Sequence, residues 1–555
     1  MVYLKHQVFI SFSPRLLPPK KTPLTSRTLP MALSSMAAAQ ESSLLLFLLP
    51  TSAASVFPPL ISVVVLAALL LWLSPGGPAW ALSRCRGTPP PPGVAGGAAS
   101  ALSGPAAHRV LAGMSRAVEG GAAVMSLSVG LTRLVVASRP ETAREILVSP
   151  AFGDRPVKDA ARQLLFHRAM GFAPSGDAHW RGLRRASAAH LFGPRRVAGS
   201  APEREAIGAR IVGDIASLMS RRGEVPLRRV LHAASLDHVM ATVFGKRHGD
   251  LSIQDGELLE EMVTEGYDLL GKFNWADHLP LLRWLDLQGI RRRCNRLVQK
   301  VEVFVGKIIQ EHKAKRAAGG VAVADGILGD FVDVLLDLQG EEKMSDSDMI
   351  AVLWEMIFRG TDTVAILMEW VMARMVMHPE IQAKAQAEVD AAVRGRRGGV
   401  ADGDVASLPY IQSIVKETLR MHPPGPLLSW ARLAVHDARV GGHAVPAGTT
   451  AMVNMWAIAH DAAVWPEPEA FRPERFSEGE DVGVLGGDLR LAPFGAGRRV
   501  CPGRMLALAT AHLWLAQLLH AFDWSPTAAG VDLSERLGMS LEMAAPLVCK
   551  AVARA

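Results

Sequence analysis

Cysteine is scarce. A chain of 555 residues carries four, Cys85, Cys294, Cys501 and Cys549. No two of them stand as Cys-x-x-Cys, so neither a disulfide framework nor a paired-cysteine zinc site is expected. The bulk of the chain is expected in a reducing compartment. Tyrosine is scarcer still, with three residues, and no Lys/Arg stripe with interleaved aromatics is present, which excludes nucleic acid as an expected partner. The basic surplus is slight, 60 Lys and Arg against 53 Asp and Glu, a net charge of +7. It favours an acidic membrane or protein face without demanding one. Repeats are absent, and so is a complete Gly-x-Gly-x-x-Gly fingerprint: Gly495-Ala-Gly497 lacks the third glycine, and two arginines intervene. Apolar residues make up 49% of the chain and charged ones 20%, an ordinary globular balance.

Four stretches follow one another. Residues 1–43 form a leader, whose first 30 carry Lys5, Arg15, Lys20, Lys21 and Arg27 and no acid. Those 30 residues read either as a transit peptide to a plastid or other organelle or as a dispensable piece before a start at Met31. Residues 44–73 are almost wholly apolar and uncharged, long enough for the ~20 residues a bilayer requires, and predict a transmembrane anchor bent at Pro58 and Pro59. Arg84 and Arg86 just after it place that side in the cytoplasm. Residues 74–104, with Thr88-Pro-Pro-Pro-Pro-Gly93, form a stiff hinge. Residues 105–555 read as one large domain, mainly α with small β-sheets. Helical periodicity is strongest over 350–377 and 379–393, short strands are expected near Gly441–Thr450, and loops at Gly319–Val321 and Gly395–Gly399.

The densest chemistry lies in Phe494-Gly-Ala-Gly-Arg-Arg-Val-Cys501-Pro-Gly503. Its glycines let backbone approach a flat ligand closely. Pro502 is expected to open a helix, so Cys501 faces a positive dipole end that favours thiolate. Arg499 adds charge or pairs with an acidic group of the ligand. A thiolate in such a loop suits a soft or borderline metal centre such as haem iron. Upstream, Glu417 and Arg420 share a helix face, and Phe471-Arg-Pro-Glu-Arg475-Phe476 supplies a further arginine. Within the long helix, Phe358-Arg-Gly-Thr-Asp362-Thr363 sets an acid beside a hydroxyl, a pair suited to moving protons. Gly360 is expected to loosen that helix and leave carbonyls open. Arg359 is read either as paired with Glu355 one turn earlier or as reaching a substrate carboxylate. Trp180 and Arg184 share a helix face.

Phe494, Gly497, Arg499, Cys501 and Gly503 fit Phe-x-x-Gly-x-Arg-x-Cys-x-Gly, which resembles the cysteine-ligand loop of the cytochrome P-450 superfamily. The resemblance covers essentially everything beyond residue 105 and is similar in particular to plant family 78, subfamily A. Asn274–Trp284, Trp354–Thr363 and Leu428–Leu433 carry that narrower likeness. Arg359 stands where the superfamily has a small residue, a departure that the subfamily shares; Val364 replaces a second hydroxyl, and the usual Pro-Gly-Pro hinge is altered. The resemblance implies the P-450 fold, with haem b (iron protoporphyrin IX) between the long distal helix and the Cys501 loop. It implies Cys501 as axial iron ligand and Asp362 and Thr363 as the proton relay. Trp180, Arg184 and Arg432 are implied as contacts of the haem propionates, and Glu417, Arg420 and Arg475 as a supporting triad. It implies a monooxygenase fed by NADPH-dependent cytochrome P-450 reductase at the endoplasmic reticulum membrane, with the catalytic domain in the cytosol. The substrate is a lipophilic small molecule, a fatty acid in the narrower likeness, with a part in organ growth. Segments Phe152–Gly176, Gly425–Arg432 and Leu537–Pro546 are expected to line its pocket. A haem-thiolate isomerase or dehydratase, and a non-catalytic haem sensor, remain as alternatives.

Overall fold

The computed structural model describes residues 51–555, apart from 84–87, 97, 119–120, 248–249, 283, 320–328, 395–398, 429–430, 480–481 and 555. The leader, Arg84 and Arg86, much of both expected loops and part of the Leu428–Leu433 match lie outside these residues. The chain divides into two compact units, 1–67 and 68–555. The longer helices are α1 (Thr51–Leu73), α2 (Ala107–Ala117), α3 (Ala178–His190), α4 (Ala201–Arg222), α5 (Leu227–Phe244), α6 (Ile253–Gly271), α7 (Ile290–Ala317), α8 (Asp346–Met377), α9 (Pro379–Val393), α10 (Pro409–Met421) and α11 (Arg504–Ala521). In α1 the described side chains begin at Leu60. Among the described residues no helix is long and apolar enough to cross a membrane.

Helix α8 is the spine. Ser345 caps it by accepting from the Asp348 N–H, Asp346 and Asp348 lie in the first turn and Arg374 in the last, each complementing the helix dipole. It stops at His378 because Pro379 follows, and that proline opens α9. Of its 32 residues, 22 are buried, the pattern of a helix enclosed on every side. Its first half packs with α5, α6 and α7 through Trp354, Ile357 and Phe358. Its second half packs with α10 and α11 through Trp370, Met372 and Met375.

Among the described residues, eleven short strands make four small sheets. β1 (Val124–Val129), β2 (Thr132–Ala137), β7 (Thr450–Val453) and β4 (Arg432–Leu433) form one, in the order β1-β2-β7-β4. β1 and β2 are antiparallel, β2 and β7 parallel. β3 (Val225–Pro226), β11 (Val548–Ala553) and β8 (Phe522–Pro526) form the second. β5 (Ala438–Val440) and β6 (His443–Val445) are a hairpin turned by Gly441 and Gly442, both at positive φ, as a two-residue turn requires. β9 (Glu535–Leu537) and β10 (Leu541–Met543) form the last hairpin. Trp370 Nε1 on α8 donates to the Leu541 carbonyl at 3.0 Å, which fixes that hairpin against the spine.

Candidate active site

Cys501 ends a loop whose path depends on glycine. Gly497 has φ +66°, and a Cβ there would lie 2.2 Å from the Leu147 carbonyl oxygen, so no other residue fits. The Cys501 N–H donates to the Phe494 carbonyl at 2.9 Å and closes the loop. Sequence patterning places Pro502 first in the helix. Instead Pro502 and Gly503 turn the chain and α11 opens at Arg504. The turn lets the Gly503 N–H reach the sulfur. Burial pushes the Cys501 thiol up, opposed by that N–H and by Arg359, Arg184 and Arg504.

A cavity of about 300 Å³ joins this loop to α8. Its wall holds Cys501, Phe494, Gly503, Gly360 and Thr363 together. The Thr363 hydroxyl lies 3.4 Å from the Arg359 carbonyl. Asp362 is not on the wall: it is buried and is pushed up to about 7 by burial and then by Glu542, with Ser540 opposing. Gly360 does not break the helix, which runs unbroken through it. A Cβ there would come 2.5 Å from Val239 Cγ2, so close packing of α8 on α5 is what that glycine serves. Arg359 Nε donates to Glu355 Oε1 at 3.1 Å, and both Glu355 oxygens accept from the Gly171 N–H at 2.9 and 3.0 Å.

Among the described residues, five arginines, Arg155, Arg184, Arg359, Arg432 and Arg499, line the cavity against a single carboxylate, Glu355. Burial and then Arg499 and Arg184 push Arg432 down to about 9. Burial with Arg432, Arg359 and Arg499 lowers Arg155 well below the usual range. Guanidinium charge taken from water to this extent is costly without anions. A flat group carrying two carboxylates, and a metal suited to one soft sulfur donor, fits this wall. Arg499 is tied down by carbonyls, Gly153 at 2.9 Å and Met170 at 3.1 Å. Trp180 differs from its sequence expectation in one respect: its indole N–H goes to the Met170 carbonyl at 2.9 Å. Its ring, which lines the cavity, lies under the Arg499 guanidinium, 4.6 Å away. Arg184 Nη1 donates to the Val500 carbonyl at 3.0 Å, and Arg432 Nη2 to the Ala496 carbonyl at 3.2 Å.

Glu417, Arg420 and Arg475 meet. Arg420 grips Glu417 with two hydrogen bonds of 2.8 Å, Arg475 Nε adds one of 3.1 Å, and Glu417 and Arg420 are fully buried. Arg155, Tyr267 and Ser540, all on the cavity wall, carry no sequence spacing that marks them. The three segments expected at the pocket do contribute, through Arg155 and Gly171, Gly425 and Leu428, and Met539 and Ser540. Helices α5 and α11 contribute too, unannounced in sequence.

A family model described as Cytochrome P450 matches residues 109–546. Cytochrome P450 78A5 of Arabidopsis thaliana is 55% identical over 489 residues, 87% of this chain and 92% of that protein. Cytochrome P450 78A11 of rice, Oryza sativa subsp. japonica, is 54% identical over 507 residues, 88% and 90% of the two chains. The 78A1 protein of Zea mays is 53% identical over 502 residues, 88% and 91%. Among solved structures, a zebra fish cytochrome P450 with abiraterone superposes with a TM-score of 0.65 at 24% identity, over 81% of this chain and 100% of that one, which shows the fold. The chain belongs to the cytochrome P450 family, the haem b monooxygenases, and within it to the plant 78A group.

Proposed function

We propose that Cys501 is the axial ligand of the haem iron and that the enzyme hydroxylates a lipophilic small molecule, a fatty acid in the first instance. The observation that carries this is a single cavity wall holding one cysteine sulfur, the Thr363 hydroxyl and an excess of guanidinium charge. When bound, haem supplies the redox chemistry by which dioxygen is split. Arg184, Arg432, Arg499 and Arg155 hold its carboxylates, and the Trp180 ring steadies Arg499. Thr363 presents a hydroxyl to the cavity, and Asp362, near 7, holds or releases a proton at neutral pH. The Glu417–Arg420–Arg475 triad fixes α10 to the Pro468–Arg475 stretch. Leu367, Val243 and Met356 on the wall suit an alkyl chain.

The remaining assignments are proposals at the scale of the cell. Electrons come from an NADPH-dependent cytochrome P-450 reductase, because the chain has no nicotinamide or flavin fingerprint of its own. The protein resides in the endoplasmic reticulum membrane, anchored by residues 44–73, with 74–104 as hinge and 105–555 as the cytosolic catalytic domain. Two observations support the membrane. Leu60 to Leu73 carry no charge and are largely exposed, and Leu281, Trp284 and Leu287, close together in sequence, are exposed as well. A part in organ growth belongs to the same proposal. A metabolite screen with microsomes holding this protein and a reductase tests the reading. Product must appear with one NADPH and one dioxygen consumed per hydroxylation; product without either would mean an isomerase or dehydratase instead.

A further inference from the structure

Asp362 and Thr363 are neighbours in sequence with different surroundings. Thr363 faces the cavity, and Asp362 is packed behind it. Ser540 stands close enough to the Asp362 carboxylate to favour its ionised form, and Ser540 is on the cavity wall, in the turn between β9 and β10. On the other side His232 of α5 brings Nε2 to 3.6 Å from Asp362 Oδ1. That nitrogen is buried and has no hydrogen-bond partner among the described residues, yet the imidazole as a whole is 34% exposed against 12% for the Asp362 side chain. Three groups, each able to accept one proton and release another, thus run from an imidazole with an exposed edge to the cavity.

The arrangement is held in place. Arg228, one turn before His232, binds Glu369 at 2.7 Å, Glu542 at 3.2 Å and the Met543 carbonyl at 2.6 Å. Together with the Trp370 bond to Leu541, this fixes the turn that carries Ser540. The charged groups around Asp362 are Glu542, Arg228 and Glu369, and Tyr267 of α6 approaches its backbone. Burial, with Arg228, lowers His232, so its imidazolium surrenders a proton readily.

We propose that protons reach the cavity along His232, Asp362 and Ser540, so that Ser540 serves beside Thr363 as a delivering hydroxyl. Protonated Asp362 passes its proton to Ser540 Oγ as Ser540 releases its own to an acceptor in the cavity. His232 Nε2–H then reprotonates the carboxylate, and Nδ1 takes a proton from water. No electron moves along these groups; the monooxygenase reaction draws its electrons from the reductase.

The test uses the full-length, haem-loaded enzyme with a reductase and dodecanoic acid as the probe. Rates of NADPH oxidation are expressed per haem, with and without the probe. Ser540→Ala is expected to slow NADPH oxidation by about 10²-fold and to enlarge its solvent deuterium isotope effect. Ser540→Thr, which keeps the hydroxyl, is expected to stay within about threefold of the parent. Asp362→Asn and the double variant are expected to be equally slow, because the two groups act in series. A second readout is independent of turnover. With ¹³C-labelled aspartate, the infrared band that Asp362→Asn removes titrates at higher pH in Ser540→Ala, which lacks the donor to the ionised form, and at the parent value in Ser540→Thr. A Ser540→Ala enzyme with the parent's rate, isotope effect and carboxyl titration overturns the proposal, as does a Ser540→Thr enzyme no better than Ser540→Ala.

Discussion

A carboxyl pushed up to about 7 by burial and by Glu542 behaves differently from one in water, near ~3.9. Between those two values Asp362 holds a proton in the folded state and has lost it in the unfolded state, so its contribution to stability falls as pH rises. The difference in unfolding free energy between Asp362→Asn and the parent should therefore grow from pH 5 to pH 7 and level off above pH 8. Urea denaturation at each pH measures it. Thr363 leads to a different prediction, because its hydroxyl is on the cavity wall. Thr363→Ala should cut organic product by about 10²-fold while oxygen consumption continues and the surplus leaves as hydrogen peroxide; a peroxide assay beside product analysis decides. Gly171 belongs to the same neighbourhood. A methyl there would lie 2.1 Å from Glu355 Oε1, so Gly171→Ala should dislodge the Glu355–Arg359 pair.

At the scale of elements, two buried ionic clusters pin helices to distant segments of the chain. In one, α10 is bound to the Phe471–Phe476 segment through Glu417, Arg420 and Arg475. In the other, Glu535 of β9 meets His108 at 3.1 Å, Arg109 at 2.6 Å and His422 at 3.3 Å, and Trp370 stacks on His422 at 3.9 Å. Burial alone would raise the Glu535 carboxyl, but bonds from His108, His422 and Arg109 outweigh it and hold the group well below the usual range. This stabilisation is complete above the unfolded Glu value near ~4.3 and drains away as pH falls toward the folded one. Removing one partner from either cluster, as in Arg420→Ala or Glu535→Ala, should cost about 3–5 kcal/mol, read from urea midpoints at constant m. What the sequence discloses about these elements follows from range. The Cys501 loop, α8 and α9 declare themselves because their signals are local: a ten-residue pattern, an apolar run, a proline at each boundary. Glu417, Arg420 and Arg475 become readable only through the spacing that the family resemblance supplies. His232 and Ser540 lie more than 300 residues apart and both come to Asp362 only because α5 and the β9–β10 hairpin pack on α8; no periodicity announces such a meeting. Gly360 shows the same limit, since its neighbour Val239 is set by helix packing and not by the helix that contains it.

Across the whole molecule, a helix-rich body is organised around one enclosed spine, α8, with Cys501 presented to its cavity by a loop that only glycine permits. If residues 44–73 anchor this body and exposed Leu281, Trp284 and Leu287 add a second lipid contact, removal of residues 1–73 should leave much of the protein in the membrane pellet. Replacing Leu281, Trp284 and Leu287 with serine in that shortened chain should then release it to the soluble fraction, as sedimentation after cell lysis would show. The central claim is the sulfur–iron bond of Cys501, and the difference spectrum of the reduced enzyme with carbon monoxide tests it most directly. The account predicts the long-wavelength Soret band of thiolate-ligated haem in the parent and its loss in Cys501→Ala. A colourless protein after haem supply, or a band that survives in Cys501→Ala, would contradict it.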